Sequence, residues 1–245
     1  MRAVIVADIH SNLDAFQSVL RDAEARGGVD EVWCLGDIVG YGPQPRECIA
    51  LLKEYNHLCV AGNHDWAAVG KIDISDFNSY AAEACMWTSQ QLQQGEKEYL
   101  TNLPLHVFKD DFTLAHGSPR EPIWEYVVSH ASAWENFRHF KTPFCLIGHS
   151  HLPLVFQELK DKGEVILRTL PEGLPFSLGE GRLIINPGGV GQPRDGDPRA
   201  GYAIYNDSQK CIVHYRVPYD IASTQQKMER AGLPSLLIER LSYGR

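Results

Sequence analysis

The chain has 245 residues, of which 44% are hydrophobic and 22% are charged. At roughly 150 residues per domain, this length predicts one large globular domain over residues 1–245, and the composition excludes disordered and collagen-like proteins. Acidic residues outnumber basic residues by 31 to 23, which gives a formal net charge of −8. Because nucleic-acid backbones are bound by basic surfaces, this charge disfavours nucleic acid as a partner without excluding it.

The cysteines and the hydropathy pattern predict a cytoplasmic protein without membrane contact. The six cysteines form no Cys-x-x-Cys pair and no disulfide-framework spacing, so a reducing compartment is the simplest location. No run of about 18 apolar residues is present, and the N-terminal apolar run reaches Asp8 too early to form a signal peptide. Cys34, Cys59 and Cys145 lie within apolar runs and are expected in the core.

Short apolar runs with the length of β-strands recur along the chain, and each ends at a cluster of Gly, Asp, Asn or His. Their apolarity is continuous rather than alternating, which indicates strands that are covered on both faces. In chain order the runs are AVIVADIH, EVWCLGD, HLCVAGNHD, FTLAHG, FCLIGHSH and LIINPGG.

Helical patterns lie between the first strands. Apolar residues follow the 3.6-residue period from Leu13, after a cap at Ser11 or Asn12, and Pro45 is suited to open a second helix. This β-α-β-α order predicts an α/β fold.

The later part of the chain contains further predicted elements. We predict a helical insertion at about residues 66–103, and a hairpin whose strands, 155–160 and 165–170, flank Asp161-Lys162-Gly163. Strands are expected at 201–205 and 212–217, followed by C-terminal helices at about 220–242 that are interrupted at Gly232.

Residue types that bind metals gather at the predicted strand ends. Ligands of open α/β sheets bind beside the carboxyl ends of the strands. Oxygen and imidazole ligands without thiolates suit Mn, Fe, Zn or Mg. The neighbouring glycines are expected to provide sharp turns that aim these side chains into one cleft. The strand-end residues are Asp8, His10, Asp37, Asn63, His64, His116, His149 and His151, and the glycines are Gly36, Gly62, Gly117 and Gly148.

Five ordered motifs resemble those of the calcineurin-like metallophosphoesterase superfamily. They are Asp8-x-His10, Gly36-Asp37-x-x-Gly40, Gly62-Asn63-His64-Asp65, His116-Gly117 and Gly148-His149-x-His151. The loop Asn186-Pro187-Gly188 is similar to the small bacterial phosphodiesterase-like members. Each motif is weak alone, but all five in order form a specific pattern.

The resemblance implies a four-layer αββα sandwich of two mixed sheets flanked by helices, and a site for two divalent metal ions. Mn²⁺ is favoured, with Fe, Zn, Mg, Ni or Co left open. A metal-bridging hydroxide would attack a phosphoester, and His64 would act as the proton donor or charge stabiliser. The first metal would be held by Asp8, His10, Asp37 and His151, and the second by Asp37, Asn63, His116 and His149.

The sequence departs from the protein-phosphatase pattern at Gly40 and Tyr41, where those members carry an Asp and an Arg. This departure argues against a protein-serine phosphatase, and it leaves Asp65 or a backbone carbonyl to orient His64. The expected substrate contacts are Asn12, Asn63, His64 and Arg194. For Arg194, a surface salt bridge is the alternative to a phosphate contact.

Several aromatic residues lie within the predicted helical insertion. Trp66, Phe77, Tyr80 and Trp87 are favoured as the insertion's own core, with a substrate lid that stacks a base as the alternative. The histidines outside the motifs are expected at the surface or in packing: His57, His106, His130, His139 and His214.

The leading functional prediction is hydrolysis of a small phosphodiester or phosphomonoester. The alternatives are a nucleotide or dinucleoside-polyphosphate hydrolase, a nuclease, and, least favoured, a non-catalytic interaction scaffold. Scaffolds with this fold lose metal ligands, whereas every ligand position is filled here. The sequence predicts neither the oligomeric state nor the physiological substrate.

Overall fold

A computed structural model describes residues 1–179 and 181–245 and folds them into two six-stranded mixed sheets with helices outside both. This arrangement confirms the predicted α/β sandwich. The strands are β1 (Arg2–Val6), β2 (Glu31–Cys34), β3 (His57–Cys59), β4 (Val107–Lys109), β5 (Phe112–Leu114), β6 (Phe144–Leu146), β7 (Pro153–Leu159), β8 (Glu164–Arg168), β9 (Pro175–Ser177), β10 (Arg182–Pro187), β11 (Ala200–Asn206) and β12 (Cys211–Val217). The helices are α1 (Leu13–Ala25), α2 (Pro45–Lys53), α3 (Asn63–Ala68), α4 (Ser79–Gln91), α5 (Gln94–Thr101), α6 (His130–Asn136), α7 (Ile221–Arg230) and α8 (Ser235–Glu239), with 3₁₀ turns at Lys160–Lys162 and Arg240–Tyr243.

The first sheet has the order β3-β2-β1-β11-β12-β9, and its strands β1, β2 and β3 are parallel. Val6 pairs with Cys34, and Cys34 pairs with Cys59, so these three strands end at one edge of the sheet. Successive side chains of a strand point to opposite faces. Ile5 therefore packs toward the second sheet, while Val4 and Val6 pack in the core under α1 and α2.

The second sheet has the order β4-β5-β6-β10-β7-β8, and β5, β6 and β10 are parallel. Leu114 pairs with Leu146, which also aligns the ends of β5 and β6. Between the two sheets, Trp33, Phe112 and Tyr205 are in mutual aromatic contact, with ring centroids 4.8–5.8 Å apart. The outer face of this sheet is covered by α6 and its flanking residues.

The helices after β3 pack against the C-terminal helices. Ala81 and Ala84 of α4 form one apolar cluster with Met228, Leu237 and Leu241. Within the two described ranges, every helix is too short or too polar to cross a lipid bilayer.

Three short elements were not predicted from the sequence. Strands β4 and β9 have three residues each and lie at sheet edges, and α6 has seven residues. Elements of this length carry too few residues for a hydrophobic period to be recognised. The predicted hairpin is formed by β7 and β8, and the two expected C-terminal helices are α7 and α8.

Candidate metal centre

Buried carboxylates and imidazoles meet where the carboxyl ends of β1, β2, β5 and β6 approach one another. They form three overlapping groups whose ligand atoms lie within 4.8 Å of one another in each group. The groups are Asp8, His10 and His151; His10, Asp37 and His64; and Asp37, His116 and His149. The structure thus brings together strand-end residues that are up to 143 positions apart in the chain, from Asp8 to His151.

Asp37 lies at the centre of these groups. Its Oδ2 is 3.6 Å from Nε2 of His10 and 3.3 Å from Nε2 of His116. Its Oδ1 accepts a hydrogen bond from the backbone N–H of His64 at 2.9 Å. One carboxylate oxygen therefore faces imidazoles from both sides, which is the position that a bridging ligand occupies between two metal ions.

The first ligand group has its outer ring nitrogens fixed by backbone carbonyls. His10 contacts the Val39 carbonyl through Nδ1 at 3.2 Å, and His151 contacts the Gln192 carbonyl through Nδ1. The two Nε2 atoms are then 3.2 Å apart, and Nε2 of His151 is 3.6 Å from Oδ1 of Asp8. Carbonyl contacts of this kind orient metal-binding histidines.

The second ligand group is arranged in the same way. Nδ1 of His116 contacts the Leu35 carbonyl at 2.8 Å, so its Nε2 points inward. That Nε2 is 3.1 Å from Oδ1 of Asn63 and 3.2 Å from Nδ1 of His149. Asn63 is thereby placed with the imidazoles, where its amide oxygen could serve as a neutral ligand.

Backbone strain is concentrated on these residues. Five of the ligand positions have a left-handed φ between 49° and 64°: Asp8, His10, Asp37, His149 and His151. Such conformations cost on the order of 1–3 kcal/mol each and persist where the surrounding structure enforces them. Strain of this kind clusters at functional sites, so its concentration here supports a functional role.

The neighbouring glycines act differently from the prediction. Of the four expected turn glycines, only Gly36 has a left-handed φ, at +89°, and Gly62 is at −97°. A Cβ at Gly62 would collide with the Asp37 carboxylate. The sharp turns are therefore made mainly by the ligands themselves, and Gly62 is required because the carboxylate lies against its backbone.

The pKa values of the buried histidines differ within the site. Against its burial, the Asp37 carboxylate raises the pKa of His116 to about 9, so His116 would release a proton when it binds a cation. Burial lowers the pKa of His149 to about 3 and the pKa values of His10 and His151 well below the ordinary value, which keeps their rings neutral and able to coordinate.

Burial alone would raise the pKa of Asp37, but the nearby imidazoles outweigh burial and lower it. Among the residues described, Oδ2 of Asp8 and Nε2 of His149 are buried without a hydrogen-bond partner. Unsatisfied buried acceptors in an anionic donor set fit divalent cations.

Asp65 does not orient His64, contrary to one of the two options that the sequence left open. Its carboxylate accepts backbone N–H groups of Asp37 at 2.8 Å, Val39 at 3.1 Å and Gly62 at 3.0 Å. These bonds tie the loop after β2 to the loop after β3. Asp65 is thus engaged with the backbone that carries the ligands.

His64 is held by aromatic rings instead. Its imidazole is stacked on Phe77, with centroids 4.6 Å apart, and lies against Tyr41 at 4.3 Å. Nδ1 of His64 is buried and has no hydrogen-bond partner in the described part of the chain, so no backbone carbonyl orients it either. A Cβ at position 40 would lie 2.5 Å from that Nδ1, so the imidazole occupies the space above Gly40.

Arg194 lines the same cleft as the ligands. It forms no ion pair with any residue of 1–179 or 181–245, and its guanidinium donates to the Gln192 side chain at 3.1 Å. After burial, the charge of Arg194 is the largest contribution that lowers the pKa of His151. The salt-bridged surface alternative is therefore not what the structure contains.

Asn12 is placed away from the cleft. Its side chain is 1% exposed and caps α1 by accepting the Ala15 N–H at 3.1 Å. Its amide donates to the Gly191 carbonyl at 2.9 Å. Both ends of the side chain therefore have partners inside the protein, and the contact of Asn12 with substrate stays a prediction.

The cleft contains two aromatic residues that the sequence did not single out. Trp124 and Tyr126 lie in the loop after His116 and face an opening of about 150 Å³ beside the ligands. Of the aromatic residues considered from the sequence, Phe77 reaches the cleft, whereas Trp66 and Trp87 pack against apolar clusters. The signal for them in the sequence is the Trp-x-Tyr pattern that follows the His116-Gly117 motif.

Comparisons with known proteins agree with this geometry. A model of the calcineurin-like phosphoesterase superfamily domain matches residues 1–210. The crystal structure of a metallophosphoesterase from Sphaerobacter thermophilus is 46% identical and has a TM-score of 0.91, with coverage of 100% of this chain and 99% of that one. An uncharacterised protein of Methanocaldococcus jannaschii is 38% identical over 246 residues, which are 98% of this chain and 97% of that protein.

A more distant similarity is to a symmetrical bis(5'-nucleosyl)-tetraphosphatase of Vibrio campbellii. It is 27% identical over 139 residues, and the match covers 51% of this chain and 47% of that enzyme. The match to this relative thus spans about half of its length. The chain belongs to the calcineurin-like phosphoesterase superfamily, a family of phosphoester hydrolases.

Proposed function

We propose that the protein is a dimetal hydrolase of small phosphoesters, acting on a phosphodiester or a phosphomonoester. The observation that carries this proposal is the placement of the Asp37 carboxylate between two imidazole-containing ligand groups. We further propose that the whole chain works as one catalytic domain, because both sheets contribute ligands to these groups.

Seven residues would hold the two ions. Mn²⁺ is the favoured metal, because a set of oxygen and imidazole ligands without thiolates suits it. When bound, the two ions supply a nucleophile generated from water near neutral pH and stabilise charge on the phosphoryl oxygens. Asp8, His10, Asp37 and His151 would form one site, and Asp37, Asn63, His116 and His149 the other.

The remaining polar side chains of the cleft would handle the substrate. We propose that His64 donates a proton or a hydrogen bond to the leaving oxygen through Nε2, the ring nitrogen that does not lie against Gly40. Burial lowers the pKa of His64 to about 4, so the ring is neutral near pH 7 and its Nε2–H is the donor. Tyr41 and Phe77 would hold the ring in position for this role. Arg194 would contact a phosphoryl oxygen, and the amide of Asn63 would contact the substrate as well as a metal.

The alternatives differ in how well they are supported. A nucleotide or dinucleoside-polyphosphate substrate gains support from the tetraphosphatase relative, although that match covers only 51% of this chain. A nuclease acting on long duplexes is disfavoured by the net charge of −8. A scaffold function is disfavoured because no position of the ligand set is replaced.

The test is hydrolysis of bis-p-nitrophenyl phosphate by the protein loaded with Mn²⁺. We expect Asp37→Asn and His116→Ala each to reduce kcat/KM by at least about 100-fold, because each removes a ligand from the reacting centre. His139→Ala, an exposed histidine outside the site, is the matched control and should retain full activity. Metal analysis should find two equivalents of Mn²⁺ in the wild type and fewer in both site variants. Undiminished turnover in Asp37→Asn and His116→Ala would refute the proposal.

A further inference from the structure

The cleft beside the metal centre has an aromatic border, of which Trp124 and Tyr126 have no part in the proposed hydrolytic step. Trp124 and Tyr126 come from the loop before α6, and Phe77 faces the same opening from the segment before α4. Phe77 and Trp124 meet edge to face, with ring centroids 5.2 Å apart. Because Phe77 also stacks on His64, this border is continuous with the residue placed at the leaving oxygen.

Tyr126 presents a free ring face next to a metal ligand. One face is stacked on His149, with centroids 4.0 Å apart and an angle of 21° between the planes. The residue is nevertheless 47% exposed and lines the cleft, so ring surface that His149 does not cover is accessible there. A ring that is immobilised on one face and open on the other is a platform on which a planar group stacks at little entropic cost.

The charges around the opening indicate what accompanies that planar group. Arg194 is a cation without an ion pair in the described structure, and it suits the phosphoryl group that the metals would hold. Asp76 lies on the rim beside Phe77, is exposed, and has no hydrogen bond or ion pair to any described residue. A carboxylate there accepts hydrogen bonds from hydroxyl groups, and it would repel a second phosphate.

We propose that the cleft selects phosphate esters of nucleosides, with the base stacked on Tyr126 and the sugar hydroxyls directed toward Asp76. This inference rests on the proposed phosphoesterase function and names its substrate class. Trp124 closes the far side of the base, and the ester oxygen of the nucleoside lies toward His64.

Competitive inhibition separates the contribution of the base from that of the phosphate. AMP and ribose 5-phosphate carry the same 5'-phosphate and ribose, and they differ at C1, which bears adenine in AMP and a hydroxyl group in ribose 5-phosphate. Each is titrated as an inhibitor of bis-p-nitrophenyl phosphate hydrolysis by the Mn²⁺-loaded enzyme. We expect AMP to inhibit with a Ki about ten-fold below that of ribose 5-phosphate. This difference corresponds to the free energy of stacking one base on an aromatic side chain.

Variants at the border assign that preference to its residues. Tyr126→Leu should bring the ratio of the two Ki values close to one, and Trp124→Leu should reduce it, with the Ki of ribose 5-phosphate unchanged in both. Phe108→Leu removes an aromatic ring that is 71% exposed on β4, away from the cleft, and should keep the wild-type ratio. Because Tyr126 is half exposed but also stacks on His149, the Mn²⁺ content of Tyr126→Leu is measured as well, and an unchanged content assigns the altered ratio to the base site.

Each result decides the proposal. A wild-type ratio near one, or a ratio that survives in Tyr126→Leu and Trp124→Leu, would overturn nucleoside selection while leaving ester hydrolysis intact. If the wild type hydrolyses no ester, the dissociation constants of AMP and ribose 5-phosphate are compared by calorimetry in the presence of Mn²⁺. Preferential AMP binding that is lost in Tyr126→Leu would then support the base site even though the hydrolytic function had failed.

Discussion

At the scale of single residues, His64 is held in place by packing against other rings, with no hydrogen bond from the described residues at its Nδ1. In the protein-phosphatase pattern a carboxylate would stand at position 40, but here the ring of His64 lies directly above Gly40. The imidazole is fixed by contact with Tyr41 and Phe77 rather than by a partner at Nδ1. Stacking restrains the plane of the ring, and His64 still lines the cleft. A glycine and two aromatic rings would in this way position His64 for the donor role proposed for it.

This packing predicts a specific effect of Gly40→Ala. The new methyl group would lie 2.5 Å from Nδ1 of His64, so the ring must move. Loss of a positioned proton donor matters most for a poor leaving group. We expect kcat to fall about 100-fold for a methyl ester of thymidine 5'-monophosphate, and by less than about 10-fold for the p-nitrophenyl ester.

Gly70→Ala is the matched control for that substitution. Gly70 also has a left-handed φ, at +72°, but no atom lies within 4 Å of its added Cβ. Both variants should lose about 1–2 kcal/mol of unfolding free energy from backbone strain, whereas only Gly40→Ala should change the ratio between the two esters. An equal loss on both esters in Gly40→Ala would mean that the substitution acts on something other than proton donation.

At the scale of elements, two loops are joined by one side chain. The Asp65 carboxylate, on α3, accepts three backbone N–H groups from the segments that carry Asp37 and Asn63. These loops follow adjacent parallel strands whose ends are aligned by the pairing of Cys34 with Cys59. Sheet register brings the ligands to one edge, and Asp65 then fixes the positions of the loops relative to each other.

We therefore expect Asp65→Asn to weaken metal binding although Asp65 is not itself a proposed ligand. An amide would place its NH₂ group against backbone donors, and a buried donor left without a partner costs about 1–3 kcal/mol. The free energy of unfolding should fall by about 2–4 kcal/mol, and the Mn²⁺ content should fall below two equivalents. Asp73→Asn, at an exposed aspartate in the segment between α3 and α4, should change neither quantity. Full metal occupancy in Asp65→Asn would contradict the role assigned to this side chain.

The same scale explains how far the sequence could anticipate the structure. The buried strands were predictable because both faces are covered, which gives continuous apolar runs such as that containing Val4, Ile5 and Val6. The strand-end polar residues were predictable as a group because parallel strands end at one edge. The contacts of His64 and the aromatic border were not predictable, because Tyr41, Phe77 and Trp124 come from separate loops whose approach is set only by the folded chain.

At the scale of the whole molecule, the surplus of acidic residues is partly concentrated in the core of the site. Asp8 and Asp37 are 0% and 1% exposed, and burial raises the pKa of Asp8 to about 7. Burying acidic groups costs free energy unless cations compensate them. The seven-residue ligand set is assembled from both sheets, so the metals would connect the two halves of the sandwich. We therefore expect part of the folding stability to depend on bound metal.

This dependence predicts a large effect of metal on thermal unfolding. A ligand that binds only the folded state stabilises it by about 2.7 kcal/mol at 100 times its dissociation constant. For a chain of 245 residues, each kcal/mol raises Tm by about 2–4 °C. Mn²⁺ at that concentration should thus raise the Tm of the EDTA-treated protein by about 5–10 °C, as measured by calorimetry, and EDTA should reverse the rise. Asp37→Asn should show little increase because it lacks the shared carboxylate, while His139→Ala should behave as the wild type does. An equal rise in Asp37→Asn would mean that Mn²⁺ stabilises the fold from another place on the molecule.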